Sequence, residues 1–153
     1  PRNAEVLAQQ EYWVDIARSD AGPLVQRIVD AVVEAAYDSG AGVHDHAVTD
    51  DAVAEARAAL EPMLDALDKQ LAGRDYIVGP YSYADVHWTA YIHLLCIAGE
   101  GALIDARPQL SAWHTRVRER KSFSGQDLVP YTLLPSMEDI RAKRLADVVI
   151  TDY

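Results

Sequence analysis

The stretch from Tyr83 to Gly99 reads YADVHWTAYIHLLCIAG. Apart from Asp85, Thr89 and two histidines it is apolar or aromatic, so a helix formed here has little polar face and must be mostly buried among other elements. A carboxylate at the start of such a helix calls for an explanation, and the residues just before it supply one. With Ser82 as N-cap, Asp85 falls at the third helical position. The Ser82 hydroxyl then accepts from the Asp85 amide while the Asp85 carboxylate reaches back to the Ser82 amide, a capping box with Asp in place of Glu or Gln. Tyr81 precedes the cap and is spaced to pack on Val86 as a hydrophobic staple. A buried helix start cannot leave its first amides to water, and each donor left unsatisfied costs roughly 1–3 kcal/mol.

The rest of the chain has a helical period almost throughout. Val25, Ile28, Val29, Val32, Val33 and Ala36 recur at three and four, and Val6, Leu7, Trp13, Val14 and Ala17 do the same upstream. Gly22-Pro23 should kink or break this long element. DSGAGVHDHAVTD has glycines and no period and reads as a loop. A second long helix is expected from about Thr49 to Leu71, with acidic residues early, Lys69 late, a seam of Leu60, Leu64, Leu67 and Leu71, a bend at Pro62 and a stop at Gly73. Pro108 opens a later helix with Leu110, Trp113 and Val117 on one face, and SMEDIRAKRLAD reads as a last one. No alternating run is long enough for a sheet. The expectation is an all-α bundle of about five to six helices.

Charge narrows the partners. Lys and Arg total 14 against 24 Asp and Glu, a formal net charge of −10, which repels nucleic-acid backbones and anionic lipid surfaces. No apolar run spans a bilayer and PRNAEVLAQQEY has no signal-peptide core, so the chain reads as cytoplasmic. The single cysteine, Cys96, fits a reducing compartment. The chain begins at Pro1 without a methionine, which reads as a processed product or a fragment.

In order, LDALDKQLAGRDYIVGPYSYADVHWTAYIHLL and ARPQLSAWHTRVRERKSF resemble the C-terminal all-helical domain of the glutathione S-transferase family. The likeness lies in a leucine-rich helix, a short turn from Gly73 to Gly79, the box from Ser82 to Asp85, Arg107-Pro108 with Leu110, then Trp113 and a basic ending from Arg116 to Phe123. It covers roughly residues 1–123 as one domain, leaving 124–153 as a C-terminal extension expected to pack on it. The resemblance implies a homodimer and a preceding thioredoxin-like domain that binds glutathione and activates its thiol. Nothing in these residues resembles that domain, so no catalytic residue is assigned and the chain alone is expected to be inactive. The resemblance also places Tyr12, Trp13 and Ile16, within one turn of each other, on the helix facing the cleft for an apolar electrophile. Their alternative is plain core packing, to which Trp88 and Tyr91 belong more clearly. As a whole the chain reads as the substrate-cleft half of a glutathione transferase-like enzyme; the alternatives are a stand-alone interaction module or a non-catalytic small-molecule binder.

Other candidates carry less. His44-Asp45-His46 lacks further ligands for a metal and reads as a loop, so no metal is expected. His87 and His93 lie about 120° apart round a helix and read as core-edge histidines. Cys96, without a neighbouring base, should have a raised thiol pKa. Arg116, Arg118, Arg120 and Lys121 read as a solvated helix end.

Overall fold

The computed structural model describes residues 3–37 and 50–124. They are all-α: α1 (Ala4–Asp15), a π-helical turn (Ile16–Ala21), α2 (Gly22–Tyr37), α3 (Asp50–Leu71), α4 (Tyr83–Ile97), α5 (Gly101–Asp105), α6 (Pro108–Arg118) and α7 (Lys121–Ser124). The helix expected in SMEDIRAKRLAD, the His44 to His46 loop and all of the expected extension 124–153 beyond Ser124 lie outside the described residues.

Helix α4 is the centre of the bundle. It packs against α1, the π-helical turn and α2 on one side and against α5 and α6 on the other. Ala84, Trp88, Ile92 and Leu95 are all at most 1% exposed. Its end is set by Gly99, whose φ of 87° lets the Glu100 amide fold back onto the Leu95 carbonyl at 2.9 Å. In α3, Leu60, Leu64, Leu67 and Leu71 form the expected seam, and a leucine so enclosed contributes roughly 1.5–3 kcal/mol. Pro62 lies inside that continuous helix on its solvent side, where the carbonyl it leaves without a partner can face water. Gly73, with φ 71°, follows the helix end as expected.

Gly22-Pro23 does not break the first long element. The helix runs on through the π-helical turn, in which the Gly22 amide donates to the Ala17 carbonyl five residues back. The wider turn relieves the crowding a proline ring imposes on the carbonyl four residues before it. Trp88 reaches across from α4 and donates its indole N–H to the Trp13 carbonyl at 3.0 Å, just ahead of this turn. Along α1 and into the π-helical turn, Trp13, Val14 and Ala17 are buried as their spacing predicts, but Leu7 is 44% exposed. Val25, Ile28 and Val32 carry the buried stripe into α2.

Gly22 sits where two helices touch. A Cβ there would meet the Tyr91 hydroxyl at 2.8 Å, its Cζ at 2.9 Å and the Ala17 carbonyl oxygen at 3.1 Å. Helix propensity alone favours alanine over glycine by about 1 kcal/mol. Overpacking works against it, and Gly22→Ala is expected to lower stability by about 1–3 kcal/mol in urea titration. Removing the ring in a Tyr91→Ala background should recover most of that loss, leaving only the contact with the Ala17 carbonyl oxygen. A stabilising Gly22→Ala would show that the two helices do not approach so closely.

The N-terminus of α6 is capped from outside. Its own N-cap, Arg107, makes no side-chain cap, and Asp68 of α3 accepts from the Gln109 and Leu110 amides at 2.8 and 2.9 Å. Arg107 is buried and ties α3 to α5, with Nε on Asp65 of α3 at 2.7 Å and Nη1 on the Leu103 carbonyl of α5 at 2.6 Å.

Candidate functional site

The capping box forms at the start of α4. Its carboxylate does more than close the helix. Asp85 Oδ2 accepts from the Ser82 amide at 2.8 Å and the Ser82 hydroxyl at 3.0 Å; Oδ1 accepts from the Ile77 amide at 3.0 Å and the Trp113 indole N–H at 2.9 Å. Four donors fill the lone-pair directions of a side chain that is 0% exposed. The carboxylate therefore joins the turn before α4, α4 itself and α6, and its charge lies at a helix N-terminus, where it is favoured. Tyr81 packs elsewhere than expected. Its ring meets Tyr76 edge-on at 5.2 Å and lies 3.5 Å beneath the Arg120 guanidinium, while Val86 is 46% exposed.

That stacking also corrects the reading of the basic cluster. Arg120 bonds the Tyr76 hydroxyl at 3.1 Å and Arg116 the Asp75 carbonyl at 3.0 Å, so both fasten the turn between α3 and α4. Only Arg118 and Lys121 are exposed in the manner of a solvated end.

On α1 and the first residue of the π-helical turn, the three cleft candidates are placed differently from one another. Trp13 is buried at 6% exposure, with its ring edge-on to Trp88 at 6.2 Å. Ile16 is half-buried. Tyr12 is 60% exposed, with its ring edge-on to Trp13 at 5.5 Å, and so rests on a packed indole pair. Trp88 is buried and Tyr91 half-buried against the core.

Between α4 and α6 sit two histidines. The His93 and His114 rings are 6.4 Å apart, and Phe123 of α7 meets His93 edge-on at 5.3 Å. Burial, with Arg118 beside it, lowers the pKa of His114 to about 4; burial and the same arginine lower that of His93. The Nε2 atom of His114 has no hydrogen-bond partner among the described residues. His87 is half-buried, its ring edge-on to Tyr83 at 4.9 Å. Burial raises the thiol pKa of Cys96, with Asp105 adding to it, as the sequence leads one to expect. Among the described residues no three His, Cys, Asp or Glu side chains are grouped to hold a metal ion.

The family model of the glutathione S-transferase C-terminal domain matches residues 31–121. The chain belongs to the glutathione S-transferase family. A sequence relative of this transferase domain is the tetrachloro-p-hydroquinone reductive dehalogenase of Sphingobium chlorophenolicum, 34% identical over 132 residues, which are 85% of this chain and 51% of that protein. The chain thus spans about half the length of that relative. In shape it is similar to glutathione transferase F7 from Populus trichocarpa, with TM-score 0.65 and 21% identity over 80% of this chain and 55% of that one. It is also similar to a glutathione S-transferase I bound with lactoylglutathione, with TM-score 0.66 and 20% identity over 92% of this chain and 58% of that one. These likenesses establish the fold and a glutathione transferase-like helical domain. No helix among the described residues is long and apolar enough to cross a membrane.

The spacing of apolar residues did not single out Tyr83 or Gln10. The Gln10 side chain is buried and its Oε1 accepts from the Tyr83 amide at 3.4 Å, tying α1 to the first turn of α4. The only sequence signal was a glutamine on the buried side of a periodic helix.

Proposed function

We propose that this chain is the substrate-side half of a cytoplasmic, homodimeric, glutathione-dependent enzyme acting on an apolar aromatic electrophile. Glutathione is bound and its thiol activated by a thioredoxin-like domain that precedes these residues in the native gene product. The name of the dehalogenase relative supports reductive removal of halogen from an aromatic ring. In that reaction two thiols become one disulfide and supply two electrons; the ring carbon exchanges halide for hydrogen, and halide leaves with a proton. The part of this domain is to hold the ring, and the observation that carries the reading is Tyr12. Its phenol is exposed, its ring is braced by the buried Trp13–Trp88 pair, and Ile16 is one turn away. A rigid aromatic wall with one polar tip suits a substrate of that kind.

The test uses the full native gene product with glutathione and tetrachloro-p-hydroquinone. Tyr12→Ala should raise KM about 5–10-fold, the loss of roughly 1–1.4 kcal/mol of binding, while glutathione affinity stays the same. An unchanged KM removes Tyr12 from the cleft. Absence of any glutathione-dependent turnover in the wild type overturns the reading as a whole.

A further inference from the structure

Trp88 is 1% exposed in the first half of α4, so its side chain cannot touch a substrate. Its indole N–H nevertheless leaves its own helix and donates to the Trp13 carbonyl at 3.0 Å, across 75 positions. That carbonyl stands where α1 ends. It also accepts from the amide of Ile16, the first residue of the π-helical turn, which shares its proton with the Tyr12 carbonyl. The oxygen held by Trp88 therefore belongs to the residue after Tyr12 and is bonded to the backbone of Ile16, so it lies between the two outward members of the aromatic wall.

Tyr12 needs such support. At 60% exposure little of its own surface is packed, and where its phenol stands is decided by the backbone that carries it and by the Trp13 ring it meets edge-on. Trp88 acts on both, on the backbone through the hydrogen bond and on the Trp13 ring through an edge-on contact at 6.2 Å. The π-helical turn adds to the need: its Gly22 amide reaches back five residues to Ala17, so the spacing beyond Trp13 is not fixed by α-helical geometry. Short π-helical segments of this kind recur at functional sites.

We infer that Trp88 is a positioning residue of the substrate wall: through its indole N–H on the Trp13 carbonyl it sets where Tyr12 and Ile16 stand relative to each other. The inference rests on the reading given under the proposed function, in which Tyr12 holds the ring of an aromatic electrophile. Its effect falls on substrate binding and leaves the thiol chemistry alone. A gap of about 0.5–1 Å forfeits roughly a quarter to a half of a dispersion contact, so a wall that drifts by that much loses affinity. A single hydrogen bond contributes modestly to stability, so the domain can lose this one and still fold.

The test replaces Trp88 in the full native gene product with benzothienylalanine, which keeps the bicyclic ring and puts sulfur where the N–H stood. KM for tetrachloro-p-hydroquinone should rise about 3–5-fold, the scale of one lost hydrogen bond. Both kcat and the KM for glutathione should stay within about twofold, and the rise should vanish in a Tyr12→Ala background. Trp88→Phe, which removes the N–H and part of the ring, should raise KM further and serves in its place if the first variant does not fold. With 3-fluorotyrosine at position 12 alone, the fluorine NMR line of the folded protein should shift or broaden when the N–H is lost. An unmoved line, an unchanged KM, or a rise of equal size with and without the Tyr12 ring would show that Trp88 only fills the core, and would overturn the inference. A wild type without glutathione-dependent turnover sinks the functional reading instead, and the fluorine line then still decides whether Trp88 places Tyr12.

Discussion

Asp85→Ala should lower the stability of this domain by about 4 kcal/mol and shift its urea midpoint down by about 2 M. The substitution strands three buried donors at once: the Ile77 amide, the Ser82 amide and the Trp113 indole N–H. Each costs roughly 1–3 kcal/mol when left without an acceptor, and partial relaxation keeps the total below the sum. Asp85→Asn keeps one oxygen but turns an NH2 group toward other donors, and about half the loss is expected. A double-mutant cycle with Trp113→Phe should give a coupling of about 1–2 kcal/mol, since indole and carboxylate meet at 2.9 Å. A midpoint unmoved by Asp85→Ala would mean that the carboxylate does not hold these elements together.

Acid should destabilise the domain well above the pH at which carboxylates protonate. The pKa of His114 falls from 6.5 to about 4 on folding, chiefly through burial, then through Arg118 and His93, with Asp105 opposing. Between those values the unfolded chain holds the proton and the folded chain does not, so stability falls as pH falls from about 6.5 to 4. At 1.36 kcal/mol per unit the full shift would be worth about 3 kcal/mol. His93, lowered for the same main reason, acts in the same direction. Urea midpoints measured across this range should decline, and His114→Gln should flatten the decline. A His114→Gln slope equal to that of the wild type would place the acid sensitivity elsewhere.

Much of the fold was legible because its signals are local. The box from Ser82 to Asp85, the Leu60 to Leu71 seam, Pro108 at the start of α6 and Gly73 after α3 all depend on neighbours within a turn or two. What could not be read lies between elements. Ile77 and Trp113 reach Asp85 across 8 and 28 positions, and Asp68 caps α6 across 41 and 42. Arg116 and Arg120 carry charges suited to a helix end, but the turn they hold is more than 40 residues upstream. At Gly22-Pro23 the local rule was sound and its outcome was not unique, since a proline can be absorbed by a wider turn as well as by a break. On α1, periodicity placed Trp13 in the core and could not separate it from the exposed Tyr12, because a solvent-facing wall and a packed core can both carry aromatic residues.

The borrowed cap on α6 also bears on the order in which the domain assembles. An 11-residue helix opened by Pro108 and closed at Arg118 is too short to persist alone in water. Its first amides are served by Asp68 and its indole by Asp85, both supplied by helices formed from earlier parts of the chain. Helix α6 therefore gains its stability only after α3 and α4 have met. On a ribosome, that leaves the apolar side of α4 that α6 covers open until Pro108–Arg118 has cleared the exit tunnel, and it makes this seam the natural place for a holding chaperone to grip.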